Sequence, residues 1–148
     1  MIKKITSLES GDSFEWILKS ENDFFPYPWG KQQWQELDFT ERYSLYISKS
    51  LASKKLMGFA LYDCAQLPNS LHLLKVFVEP EFRGKGLADK LLQASIDEYR
   101  PEQIFLEVAE DNQSAIGFYK RFGFETLTLK KRFYSDGKAA FAMLLKCD

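Results

Sequence analysis

Three stretches of this chain carry residue types that could do chemistry. Residues 83–88 read Arg83-Gly84-Lys85-Gly86-Leu87-Ala88, directly after the apolar run Val76-Phe77-Val78 and the pair Glu79-Pro80. A strand, a loop with two glycines and a helix start, in that order, aim free backbone N–H groups and the positive end of a helix dipole at one spot. That spot suits a phosphate or pyrophosphate. Small residues at 84, 86 and 88 let a bulky anion touch the main chain. Two glycines can equally serve only to turn the chain into the helix. Glu107 is a carboxylate inside Ile104-Phe105-Leu106-Glu107-Val108, where strand propensity disfavours it. Alternation puts it on one face with Phe105 and Ala109. It is either a solvated glutamate or a general base. Tyr119 shares a helical stripe with Ala115, Ile116 and Phe122. It reads as a packed aromatic or as a proton donor.

Two common phosphate loops fail here. The dinucleotide fingerprint G-x-G-x-x-G lacks its third glycine, because Leu87-Ala88-Asp89 follows Gly86. The P-loop pattern G-x-x-x-x-G-K-[ST] has no glycine five residues before Gly84, and Gly86 follows Lys85. Cys64 and Cys147 make neither a disulfide framework nor a zinc set. His72, the single histidine, reads as structural packing in an apolar strand and offers no metal site.

The elements that must position these residues follow from periodicity and breakers. Strands are expected at Met1–Leu8, Tyr43–Ser48, Lys55–Asp63, Leu71–Val78, Gln103–Ala109, Phe124–Leu129 and Ala139–Lys146. Helices are expected at Ser10–Asn22, around Lys31–Leu37, at Gly84–Tyr99 and at Ser114–Phe122. Ala88, Leu91, Leu92, Ser95 and Tyr99 make the inward stripe of the third. Pro26 and Pro28 break the chain between the first two, and Gly123 suits a helix C-cap. Asn112, just before the last helix, suits an N-cap. Many neighbouring strands joined by turns, with helices inserted late, imply a mostly antiparallel sheet with helices packed on it.

Composition narrows the class. The chain has 148 residues, 45% of them hydrophobic, with 20 Lys plus Arg against 21 Asp plus Glu. That length suits a single domain over 1–148 with a proper core. A net charge of −1 argues against direct nucleic-acid binding. Lys130-Lys131-Arg132 is the only basic run, and it reads as a solvated strand end or loop edge. No apolar run reaches the roughly 20 residues of a membrane span, and no signal peptide is evident. The expectation is a soluble, cytoplasmic protein with reduced thiols and no membrane partner.

A second cluster runs Leu106-Glu107-Val108, then Asn112-Gln113-Ser114-Ala115-Ile116-Gly117-Phe118-Tyr119, then Gly123-Phe124. R-x-x-G-x-A after V-x-P, followed by N-x-x-A-I-x-F-Y-x-x-x-G-F, resembles the GNAT family of N-acetyltransferases over nearly the whole chain. Within it, Pro26-Tyr27-Pro28-Trp29-Gly30, Leu106-Glu107-Val108 and the ending Phe133-Tyr134, Asp136-Gly137, Ala142-Met143 are similar to the bacterial ribosomal-protein-alanine N-acetyltransferase (RimI) branch. Lys75, Phe133 and a shorter loop after Tyr134 depart from that branch.

The resemblance implies a GNAT fold, α/β (α+β), with a mixed, mostly antiparallel sheet of about seven strands and about four flanking helices. It implies acetyl-CoA as co-substrate and no metal. Arg83, Gly84, Lys85, Gly86, Leu87 and Ala88 would hold the pyrophosphate. Asn112 would contact the pantetheine arm, and Tyr119 would lie beside it. Phe77 and Val78 would lend backbone groups to the pantetheine and the thioester oxygen, from a strand that splays from its neighbour. Glu107 would be the base and Tyr119 the acid. Tyr27, Trp29 and Tyr134 either wall the acceptor slot or are ordinary aromatic packing beside loops. The implied acceptor is the N-terminal α-amine of a ribosomal small-subunit protein, reached in a ternary complex by a monomer or weak dimer. The alternatives are a small-molecule amine, a lysine side chain, or a sensor that binds acyl-CoA without chemistry.

Overall fold

The computed structural model describes residues 1–8 and 11–147. Seven strands form one sheet: β1 (Ile2–Ile5), β2 (Tyr43–Lys49), β3 (Leu56–Asp63), β4 (Ser70–Val78), β5 (Gln103–Ala109), β6 (Glu125–Lys130) and β7 (Ala140–Lys146). Their order is β1-β2-β3-β4-β5-β7-β6. Only β4 and β5 run parallel; every other neighbouring pair is antiparallel. Four helices among the described residues pack on the sheet: α1 (Asp12–Phe24), α2 (Lys31–Gln35), α3 (Leu87–Tyr99) and α4 (Gln113–Phe122). Ser10, the expected start of the first helix, lies outside the described residues.

Side-chain alternation shows which helix covers which face. Leu45, Ile47, Phe59 and Leu61 pack with Phe14, Ile17 and Trp34 of α1 and α2. The intervening Tyr46, Ala60 and Tyr62 pack with Leu91, Leu92, Ile116 and Tyr119 of α3 and α4. The centre of the sheet is therefore buried on both sides, while β6 at its edge is exposed along its length. β4 changes sides midway. Leu61 pairs with Lys75 and Tyr62 with Leu73, so Leu74 is a bulge residue. Before it, Leu71 and Leu73 face α3 and α4. After it, Phe77 faces α1 and α2.

Two expectations are corrected here. α3 begins at Leu87, not Gly84. Pro80–Phe82 forms a 3-10 turn, and Gly84 and Gly86 adopt φ of +78° and +76°, which cannot belong to a right-handed helix. Tyr99 is not part of the inward stripe. It is 38% exposed, at the rim beyond buried Leu91, Leu92 and Ser95.

Candidate active site

β4 and β5 pair only at Ser70–Gln103, Leu71–Ile104 and His72–Phe105. β4 then runs on to Val78 and β5 to Ala109 without pairing each other. The two strands part, and a gap opens between them. Backbone groups alternate along a strand. Glu79 donates its N–H to Met57 O at 2.8 Å, so Glu79 and Phe77 turn their groups toward β3. Val76 and Val78 turn theirs toward the gap. Arg83 Nε takes the Val78 carbonyl at 2.7 Å. Val78 N–H is thereby the donor aimed into the gap. Phe77 contributes a buried ring against Phe59 and Trp16 instead.

The glycine loop lies at the end of this strand. Left-handed φ at Gly84 and Gly86 is reached cheaply only without a Cβ. A Cβ on Gly84 would meet nothing within 4 Å, so open space lies above the loop. Gly86 is the N-cap residue just before α3, and no side chain caps the helix. The first-turn N–H groups around Leu87 and Ala88 thus face outward, as an anion site requires. Lys85 is exposed beside them. The Arg83 guanidinium lies back over the Phe24 ring at 5.4 Å and the Phe77 ring at 5.8 Å.

Glu107 stands on the α1–α2 face of β5, opposite in direction to Ile104, Leu106 and Val108. It is not a solvated residue: its side chain is 12% exposed. His72 Nε2 lies 2.7 Å from Glu107 Oε1, and Lys130 Nζ donates to Oε2 at 3.1 Å. Gln66 Nε2 reaches His72 Nδ1 at 2.9 Å. With Nδ1 accepting from that amide, Nε2 carries the proton and donates to the carboxylate. The hydrogen bond from His72 and then the Lys130 interaction hold the Glu107 carboxyl below its ordinary pKa, against the effect of burial. Glu107 is ionised at neutral pH and able to accept a proton.

Tyr119 belongs to the opposite, α3–α4 core. Burial pushes its pKa up, helped by nearby Tyr134. Its hydroxyl has no hydrogen-bond partner among the described residues, yet it is not sealed from the surface. Tyr134 is raised by burial and then by the charges of Glu107, Asp111 and Asp136. Tyr134 is therefore within electrostatic reach of both Glu107 and Tyr119. Tyr27 stacks on Tyr134 with ring centroids 4.4 Å apart and donates its hydroxyl to Asp136 at 2.6 Å. That bond lifts Tyr27 to about 12. Trp29 is not in this stack; it leans on Trp34 and Lys75. Asn112 caps α4, accepting from Ala115 N–H at 3.2 Å.

Two features go beyond the sequence reading. His72 does not merely pack: it stacks on Phe105 at 4.4 Å and holds Glu107. Lys130 is not simply solvated, since it grips the same carboxylate. The signal for His72 was parity, because His72 opposite Phe105 sets it two residues from Glu107 on one face.

The model of the acetyltransferase (GNAT) family matches residues 14–124. An N-alpha-acetyltransferase of Saccharolobus solfataricus is 28% identical over 121 residues, 72% of each chain. The N-alpha-acetyltransferase RimI of Mycobacterium tuberculosis is 34% identical over 67 residues, covering 45% of this chain and 42% of that protein. The crystal structure of the ribosomal-protein-S18-alanine N-acetyltransferase from Escherichia coli superposes with a TM-score of 0.80 at 25% identity, covering 100% of this chain and 95% of that one. Several other curated relatives are matched over only 45% to 60% of their own length.

Proposed function

The chain belongs to the acetyltransferase (GNAT) family, and from that premise we propose that it moves an acetyl group from acetyl-CoA to the N-terminal α-amine of a ribosomal small-subunit protein. The observation that carries this reading is the parting of β4 from β5, with Glu107 on one face of the sheet and Tyr119 on the other. Acetyl-CoA enters from the α3–α4 side, its pyrophosphate on the Gly84–Ala88 loop and its arm along Val78 toward Asn112. The amine enters from the α1–α2 side, past Tyr27 and Tyr134.

An α-amine has a pKa near 8, so a modest base suffices. Glu107 takes its proton, directly or through one water. The amine nitrogen forms a bond to the acetyl carbon as the carbon–sulfur bond breaks. Val78 N–H stabilises the charge that develops on the thioester oxygen. Tyr119, kept protonated by burial, gives its proton to the departing thiolate. The E. coli and M. tuberculosis relatives support an N-terminal acceptor.

Thiol release from acetyl-CoA tests the reading. A peptide beginning with free alanine, matched to a small-subunit protein, is compared with a panel of small amines and an internal-lysine peptide. Release confined to the alanine peptide is expected. Faster release with a small amine would replace the acceptor and keep the chemistry.

A further inference from the structure

Glu21 and Lys75 are the most deeply buried opposite charges among the described residues, with side chains 0% and 5% exposed. The acetyl-transfer mechanism uses neither. Lys75 Nζ donates to Glu21 Oε2, joining β4 to the last turn of α1. The bulge at Leu74 makes this possible; without it, the side chain at 75 would turn to the α3–α4 core. Glu21 also accepts Trp34 Nε1–H and the Trp29 backbone N–H at 3.2 Å. The Lys75 ammonium sits 4.2 Å from the Trp29 ring and 5.0 Å from the Phe25 ring.

The pair thus touches residues 25–30 through Phe25 and Trp29 and α2 through Trp34; residues 25–30 hold no helix or strand and include Pro26, Pro28 and Gly30. The stretch also carries Tyr27 and Trp29, two of the three acceptor-wall residues. Irregular backbone of this kind needs outside anchors to hold one position. A lone buried carboxylate cannot be that anchor, because its charge must be compensated.

We propose that Glu21 and Lys75 are positioning residues for the acceptor: the buried pair pins residues 25–30 beside the open reach of β4 and so sets where the amine lies. This rests on the acetyl-transfer reading. It makes the departure at Lys75 part of acceptor recognition and not of cofactor binding. Lys75→Met keeps the stem packed on Trp29 but strands the Glu21 charge. Adding Glu21→Gln removes that charge, while the amide oxygen still accepts from Trp29 N–H.

Two readouts on the whole protein test this. Hydrogen exchange at the Trp29 amide reads the pin with no acceptor present. Steady-state kinetics with the alanine-first peptide, beside calorimetry with acetyl-CoA, read its consequence. Lys75→Met is expected to speed exchange at Trp29 and raise the acceptor KM about tenfold or more, as a misplacement on the order of 1 Å does. Affinity for acetyl-CoA should stay within about twofold, and the double variant should recover most of the loss through coupling of the two sites. Unchanged Trp29 exchange, unchanged acceptor KM, or equal losses of acceptor and acetyl-CoA binding would each overturn the proposal. Absence of turnover in the unaltered protein would overturn it together with the acetyl-transfer reading, and is told apart by appearing before any substitution.

Discussion

Substituting Gly58 by alanine should damage the fold and the site together. Gly58 sits on β3 opposite Val78. A Cβ there would lie 2.6 Å from Phe77 O, 3.3 Å from Leu91 Cδ1 and 3.4 Å from the Val78 Cα. The first contact is with backbone, which cannot swing aside. β4 must move, or α3 must lift. Overpacking of this sort costs about 1–3 kcal/mol. At about 2–4 °C per kcal/mol for a chain of this size, the melting midpoint falls by about 2–12 °C. The displaced residues are those that aim Val78 N–H into the gap, so turnover at 25 °C should fall about tenfold or more, as small misplacements do. Gly117→Ala is the control. It lies inside α4, and its Cβ would meet only the end of the Arg121 side chain at 3.2 Å, which can rotate away. Helix propensity then favours alanine by up to about 1 kcal/mol. Circular dichroism melts of both variants, with thiol release at 25 °C, decide the matter. A Gly58→Ala protein that melts with the parent and turns over normally would refute the close approach of β3 to β4.

Three other outcomes are expected. Gly86→Ala forces a Cβ into left-handed φ at about 1–2 kcal/mol, so calorimetry should read acetyl-CoA affinity about tenfold weaker with little change in acceptor KM. His72→Phe keeps the stack on Phe105 but removes a donor to a carboxylate, worth about 1.5–3 kcal/mol. The Glu107 pKa should climb toward its ordinary value, visible by carbon NMR of labelled glutamate. Asp63 is opposed by burial, but bonds from Arg42, Ala65 N–H and Gln66 outweigh it and lower the carboxyl to about 2. A depressed folded-state value contributes stability above the ordinary carboxylate pKa, and that contribution is lost as pH falls through about 2. Unfolding free energies from urea titration of the parent and Asp63→Asn should therefore differ most at pH 7, by about 1–3 kcal/mol, and converge between about pH 4 and pH 2.

Local patterning disclosed most elements. Gln103–Ala109 is legible to the residue, because its apolar alternation is bounded by Pro101 on one side and the polar stretch Glu110–Gln113 on the other. The glycine loop is evident from composition, yet the pattern starts α3 at Gly84, three residues before the helix begins, since propensity says nothing of the sign of φ at Gly84 and Gly86. What stayed hidden is long-range. The bulge at Leu74 has no residue signature, and it decides that Lys75 faces α1. Glu21 with Lys75 joins positions 54 apart, and Tyr27 with Asp136 joins positions 109 apart. His72 looked like packing because its partner, Glu107, comes from a parallel neighbour 35 residues on.

The central claim is that Glu107 and Tyr119 move the two protons of acetyl transfer across the gap between β4 and β5. Thiol release with saturating acetyl-CoA and the alanine-first peptide, run on Glu107→Gln and Tyr119→Phe, tests it most directly. Both variants should bind acetyl-CoA like the parent by calorimetry and lose about 10²–10⁴ in kcat. Parental turnover in either variant would contradict the role given to that residue, and parental turnover in both would end the account.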